Sequence, residues 1–507
     1  MCAGGDPVLA NQTAGREAIS TSDQPPFDFK FCVSVLTKHG LKVTRPADAL
    51  SVGGLSCRTM TRILVAGVDS STQSTKVVVV DAEDGTLVAQ GQAGHVVRGE
   101  HGARESEPTS WLSALQEALL ATGRASEIAA ISVAGQQHGL VVLDSGGQPL
   151  RPAMLWNDVR SAPDATALVD EVGASEWARR VGSVPVAAFT VAKWAWFKRN
   201  EPALAVRVRA VRLPHDFITE ALTGTPATDR GDASGSGWWS PSTGAYDDGI
   251  LALPQISLDR DYLPPVLGPD TVAGSVTPAA AARFGLQPGI PVGPGTGDNM
   301  AAALALGCPP GTPVVSLGTS GTVFVSSATP TTDPSAAVAG FADATGNYLP
   351  LVCLLNCTLV VDRVAGWLGL DRDDTLPAGE VVMLPYFDGE RTPNLPDSAG
   401  SIDGLRHVTD PRQILQAAYN GVATGLMAGL DAIIAAGAEV SPTAPLVVVG
   451  GGARGGAWLE TVARISGRPV ATPRVSELVA FGAAAQAASA LTGESPGHVA
   501  SRWSLTV

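Results

Sequence analysis

Apolar and polar positions alternate along the chain in two rhythms, each appearing twice. Ile63–Asp69 is an apolar run ending in a carboxylate, Ser70–Ser74 is a polar turn, and Val77–Val80 is apolar again. Thr86–Gly91 gives a third short run. Short apolar runs bounded by turn residues predict strands, and three in succession predict a meander. Across Pro108–Thr122 the period lengthens: Trp111, Leu112, Leu115, Leu119 and Leu120 share one stripe of a helix. Ile128–Ala134 and Leu140–Leu143 return to the strand pattern.

The second half repeats the theme. Pro313–Leu317 and Thr322–Val325 predict strands around the turn Gly318–Gly321. A long helix is predicted over about Pro411–Ala436, and a buried strand over Leu446–Val449. That strand runs into Gly450–Gly452, with a helix from about Gly456 and an Ala-rich helix over Ser476–Leu491. Two strand–polar turn–strand units in one chain read as an internal duplication. Pro and Gly cluster at Gly289–Gly297, which predicts a boundary between lobes at 60–290 and 291–507. The fold class expected is α/β.

Length and charge narrow the picture. A chain of 507 residues exceeds what one core accommodates. Its 34 Lys and Arg against 48 Asp and Glu give a net charge of −14, which argues against a nucleic-acid or anionic-membrane partner. No apolar run reaches the roughly 20 residues of a membrane span. Six cysteines in this length are no disulfide framework and fit a cytoplasmic setting. Cys353 and Cys357, inside the apolar segment Leu351–Leu359, read as core thiols rather than metal ligands. Residues 1–59 differ from the rest: Asp6–Asp28 is polar and broken by proline. This stretch reads as a poorly ordered extension ahead of Met60, and its acidic residues disfavour a transit peptide.

Several segments carry candidate chemistry. In Gly67–Lys76 a tight turn presents consecutive N–H groups, a concave anion site, with the Thr72 and Thr75 hydroxyls and the Lys76 charge beside it. Asp69, closing a buried strand, suits magnesium held partly through water. Ser316–Gly321 repeats that logic with Gly318 and Thr319. Two such hairpins can hold a phosphate chain from both sides; neither matches a P-loop. Gly451 and Gly452, after a strand and before a helix, let a flat ring approach the backbone. Asp298, in Gly295–Asn299, is a candidate general base or a helix N-cap. Gln137 and His138, with Trp156 and Asn157 further on, offer polar groups and an aromatic wall suited to a polyol.

Taken in this order, these segments resemble the FGGY family of carbohydrate kinases, from about Met60 to about Thr492. The likeness extends through Leu213–Asp216, Asp229–Gly235 and Leu384–Pro393. Thr190–Phe197 and Gly400–Tyr419 resemble the family's two signature stretches. The resemblance implies two ribonuclease-H-like lobes of the actin/Hsp70/hexokinase ATPase fold with a cleft between them. It implies ATP and Mg²⁺ as cofactors, Asp298 as catalytic base, and Asp69 near the metal and phosphates. It places Thr72, Gly318 and Thr319 at phosphate turns, Gly451 and Gly452 at the nucleotide, and Gln137, His138, Asp298 and Asn299 at the sugar, with Trp156 a wall. Ser71 stands where many relatives carry glycine, and Gln137 where some carry methionine.

The expected reaction is phosphorylation of a small ketose, D-xylulose first, at its C5 hydroxyl. Ribulose, gluconate or glycerol is the alternative acceptor. An ATP-binding regulator without sugar chemistry is disfavoured because Asp298 is retained. Many relatives are dimers, so a homodimer is a possible partner arrangement.

Overall fold

The computed structural model describes residues 62–506; the expectation for residues 1–59 lies outside them. The first sheet begins with the predicted meander. β1 (Leu64–Ser70), β2 (Ser74–Asp81) and β3 (Leu87–Gly94) are joined by tight turns and pair antiparallel. Helix α1 (Pro108–Thr122) occupies the predicted span and ends at Gly123, whose left-handed φ of 65° suits the C-cap. β4 (Ile128–Gly135) then enters parallel to β1.

After an excursion that contains α2 (Thr190–Asn200) and α3 (Pro214–Thr223), the chain returns to this sheet. β5 (Gly274–Ser275) and β6 (Pro291–Val292) form its edge, and β7 (Thr296–Gly297) pairs parallel with β4. The Pro/Gly cluster expected to separate the lobes is therefore the set of turns around these short strands, and the first sheet continues to Gly297. Leu140–Leu143 also behaves differently from its neighbours. Val141–Leu143 leaves the main sheet and pairs with Ala210–Arg212.

Helix α4 (Asp298–Leu306) leads to the second sheet. That sheet comprises β8 (Pro313–Leu317), β9 (Gly321–Val325), β10 (Ala339–Ala342), β11 (Tyr348–Leu354), β12 (Leu446–Val449) and β13 (Val470–Ala471). Its order is β10-β11-β9-β8-β12-β13. The larger helices of this half are α5 (Thr358–Leu368), α6 (Pro411–Ala435), α7 (Gly456–Ser466) and α8 (Leu478–Thr492), and a shorter one, Pro496–Trp503, follows them. In both sheets an antiparallel hairpin is extended on one side by a parallel strand, the duplication expected from the pattern.

β1 is buried on both faces, which explains its unbroken apolar run. Ala66 and Val68 pack with Trp111, Leu115 and Leu119 of α1; Val65 packs with α8. The contact with α8 is close: a Cβ at Gly67 would lie 1.8 Å from Ala480 O, and one at Gly482 would lie 1.9 Å from Ala301 O. Backbone thus meets backbone where β1, α8 and α4 stack. The alanine content of α8 follows from this: small side chains let it lie between the sheet and α4. Among the described residues no helix is long and apolar enough to cross a membrane.

Candidate active site

Three parallel strands end at one level. Asp69↔Ala134 and Thr296↔Ala134 are register partners, as are Ser70↔Gly135 and Gly297↔Gly135. Asp69 therefore closes β1, Gln136–His138 follow β4, and Asp298 follows β7, all at the carboxyl edge of one sheet. Ligands of α/β sheets gather at that edge. The two carboxylates flank β4, two strand spacings or roughly 10 Å apart in backbone.

Asp298 is the first residue of α4, and Gly297 is the N-cap, so the carboxylate sits within the helix rather than capping it. It is half-buried. Burial, with the charge of Asp69, raises its pKa to about 7, against hydrogen bonds from Asn299 that lower it. Asn299 N donates to Asp298 Oδ1 at 2.8 Å, and Asn299 Nδ2 reaches both Asp298 Oδ1 at 3.0 Å and Gln137 Oε1 at 2.8 Å. Gln137 is buried and its Nε2 has no hydrogen-bond partner. His138 adopts φ 65°, a left-handed conformation rare outside glycine, which costs about 1 kcal/mol or more and marks a constrained position. Its ring stacks on Phe189 at 4.9 Å. Burial and the Lys193 charge lower its pKa to about 3, so the imidazole is neutral. Its Nδ1 lies 2.8 Å from Gly235 O. A carbonyl only accepts, so Nδ1 carries the proton and Nε2 is left as an acceptor.

Asp69 is buried, which raises its pKa to about 6, against a hydrogen bond from Ser71 and the Lys76 charge. Ser71 Oγ donates to Asp69 Oδ1, which makes Ser71 a partner of the carboxylate. Lys76 pairs across the ladder from Asp69 and bonds Glu477 Oε2 at 2.7 Å. It lies beside Gln92 and Glu477, outside the pocket described next. It is paired with Glu477 and is not among the residues lining that pocket, which include Thr72.

A cavity of about 200 Å³ joins the two lobes. Thr72 of the first hairpin and Ser320 of the second line it, with Asp298, Asn299, Gln137 and His138. Trp156 closes one side: it is 40% exposed, and its indole N–H donates to Thr72 Oγ1 at 3.0 Å. Gly318 and Thr319 form the tip between β8 and β9, where Gly318 O accepts from Thr358 N at 3.1 Å and Thr358 Oγ1 at 2.8 Å. Gly451 and Gly452 open a short 3₁₀ turn after β12. A Cβ on Gly451 would meet open space, and one on Gly452 would press on Leu317 at 2.7 Å. The glycine the backbone itself requires is Gly450, with φ 88° and Leu317 O 2.7 Å from its Cβ position.

Sequence reasoning missed three supporting groups. His215, at the start of α3, is buried with Asp216, Asp229 and Asp232 at 3.2, 3.3 and 3.5 Å from Nε2. Burial alone would depress its pKa; the three carboxylates hold it up at about 9. Asp229 in turn accepts from Thr296 Oγ1 at 2.7 Å, fixing the strand that ends in Asp298. Lys193 of α2 is buried and donates to Ala187 O and Ala188 O, holding a loop that reaches the cavity. Glu390 accepts from Leu355 N at 2.7 Å, Arg391 N at 2.8 Å and Asn356 Nδ2 at 3.0 Å, and Arg391 lines the cavity. Only the resemblance touched these segments; no local spacing singles out their residues. Among the described residues no cluster of three or more His, Cys, Asp or Glu could cage a metal, and Cys353 and Cys357 are free thiols.

Comparison with known proteins shows the family. The family model for the FGGY family of carbohydrate kinases, N-terminal domain, matches residues 64–305, and that for the C-terminal domain matches 314–491. A xylulose kinase of Streptomyces coelicolor is 58% identical over 442 residues, covering 87% of this chain and 90% of that protein. The crystal structure of xylulose kinase from Bifidobacterium adolescentis shares 37% identity at a TM-score of 0.78, covering 86% and 94% of the two chains. One from Brucella ovis, titled xyloylose kinase, shares 31% at a TM-score of 0.81, covering 86% and 92%.

Proposed function

The chain belongs to the FGGY family of carbohydrate kinases, and from that premise we propose that it transfers the γ-phosphoryl group of ATP to the C5 hydroxyl of D-xylulose, with Asp298 as general base. The observation that carries this reading is one cavity lined by both phosphate hairpins, by Asp298, and by a donor and an acceptor suited to sugar hydroxyls. Gln137 Nε2 is the donor awaiting a partner, and His138 Nε2 is the acceptor. The name and high identity of the Streptomyces relative favour D-xylulose over other polyols.

In this mechanism the triphosphate lies between the turns at Thr72 and at Gly318–Ser320, whose N–H groups and hydroxyls hold its oxygens. Gly451 and Gly452 border the nucleotide. The sugar lies against Gln137, His138 and Asn299, with Trp156 along its apolar face. Asp298 takes the hydroxyl proton while the sugar oxygen bonds to the γ-phosphorus and the bond to the leaving ADP breaks. A pKa near 7 suits a base that works at neutral pH. Asp69 would hold a magnesium ion bound with the nucleotide: burial pushes its carboxyl toward the neutral form, which a cation would reverse. Bound there, the ion would supply charge neutralisation on the phosphates. The cysteines free among the described residues, Cys308, Cys353 and Cys357, support a cytoplasmic setting.

The test is ADP release with Mg·ATP against D-xylulose, D-ribulose, L-ribulose, gluconate and glycerol. Selective turnover of D-xylulose is expected. Preferred turnover of another acceptor overturns the sugar assignment.

A further inference from the structure

Arg391 stands apart from the other groups around the cavity. It comes from the second lobe, whereas Gln137, His138, Trp156 and Asp298 come from the first sheet and its connections. Its backbone is fixed: the buried Glu390 carboxylate takes N–H groups from Leu355 and Arg391 and the side-chain amide of Asn356. Its guanidinium is another matter. Among the described residues it has no hydrogen-bond or ion-pair partner, while its charge is felt at the His138 ring. The loop is thus tied down and the side chain left open, the arrangement of a group waiting for a ligand. A guanidinium carries five N–H donors and no acceptor, in a planar fork that suits two neighbouring oxygens.

We propose that Arg391 is a specificity-determining contact to the acceptor sugar, donating to adjacent oxygens at the end of the ketose remote from the attacking hydroxyl. The inference rests on the sugar-kinase reading above. Asp298 and the two hairpins mark the transfer end, so a ketose in place directs its carbonyl end to the His138 side, where Arg391 acts. The sugar is then gripped by His138 from one lobe and by Arg391 from the other. Its binding draws the lobes together, and an empty sugar site leaves them without that link. Closure excludes water from the phosphoryl group, so Arg391 also lowers wasteful ATP hydrolysis relative to transfer.

The experiment compares the parent, Arg391→Ala and Arg391→Lys by steady-state kinetics with D-xylulose and Mg·ATP, and measures ATP hydrolysis without sugar. Far-UV circular dichroism and Tm verify that each variant is folded. For Arg391→Ala the sugar KM is expected to rise at least tenfold, the ATP KM to stay within twofold, and the ratio of futile hydrolysis to transfer to increase. Arg391→Lys keeps the charge but loses the fork, and falls between the two. A sugar KM within twofold of the parent overturns the proposal. So does a fall in kcat at unchanged sugar KM, which would assign Arg391 to the transferred phosphoryl. If the parent prefers another acceptor from the panel, the D-xylulose reading fails and the same comparison is run on that acceptor. A parent that phosphorylates none overturns both.

Discussion

Asn299 Nδ2 donates to Gln137 Oε1 at 2.8 Å, linking the segments that follow two neighbouring parallel strands. The bond fixes which end of the Gln137 amide is available, leaving Nε2 as a buried donor. Replacing Gln137 with Met removes both halves of this arrangement. The sugar KM should rise about five- to tenfold, the equivalent of a hydrogen bond worth about 1–1.4 kcal/mol. The ATP KM should stay unchanged, and steady-state kinetics in both substrates checks it.

Asp298→Ala should lower kcat by about 10²–10⁴ and leave most ATP affinity intact. Turnover near the parent value would remove Asp298 from the base role. In the parent, kcat/KM for the sugar should fall tenfold per unit as pH drops below about 7, where the carboxyl becomes protonated.

The same group affects stability. Its pKa is about 7 folded against 3.8 as a free side chain, so folding takes up a proton between those values. The stability it carries at acid pH is lost as pH rises through 7. Asp298→Asn has no such loss. Its Tm advantage over the parent should therefore be larger at pH 8 than at pH 5, as differential scanning fluorimetry would read.

His215 gives a second pH window. Its folded pKa of about 9 lies above the free value of 6.5, so its contribution is complete below 6.5 and lost as pH rises through 9. His215→Asn strands Asp216, Asp229 and Asp232 without their cation, a change worth about 3–5 kcal/mol. The variant should melt lower at pH 6.5 and show a smaller further decline towards pH 9 than the parent. Equal declines in both would place the titration elsewhere.

Gly482→Ala puts a methyl group where Ala301 O lies 1.9 Å from the Cβ position. Backbone cannot yield there as a side chain can, so a loss of about 3 kcal/mol or more is expected. Urea denaturation measures it.

Much of the fold was legible because its periodic elements are long. α1 and β8 have the predicted limits, since amphipathic stripes and apolar runs register locally. The site was legible in pieces: each hairpin and each polar turn stood out, but their meeting did not. That meeting depends on β7, only two residues long and too short for any periodicity to reveal. Its turns instead resembled a linker, because Pro and Gly serve both uses. Lys76 was read as a phosphate ligand since its partner, Glu477, lies 401 positions away. The cluster around His215 is assembled from two segments of ordinary polar composition, and only packing distinguishes it from solvated charge.

The place of α8 has a consequence for biosynthesis. This helix, Leu478–Thr492, covers one face of the sheet that Leu64–Ser70 begins. About 400 residues separate the two, or roughly 20–80 s of translation at 5–20 residues per second. During that interval Val65, Val78 and Val80 lack the partner that buries them in the finished chain. The nascent N-terminal lobe is thus a natural client for holding chaperones, and a ribosome stalled anywhere before Leu478–Thr492 displays an open apolar sheet.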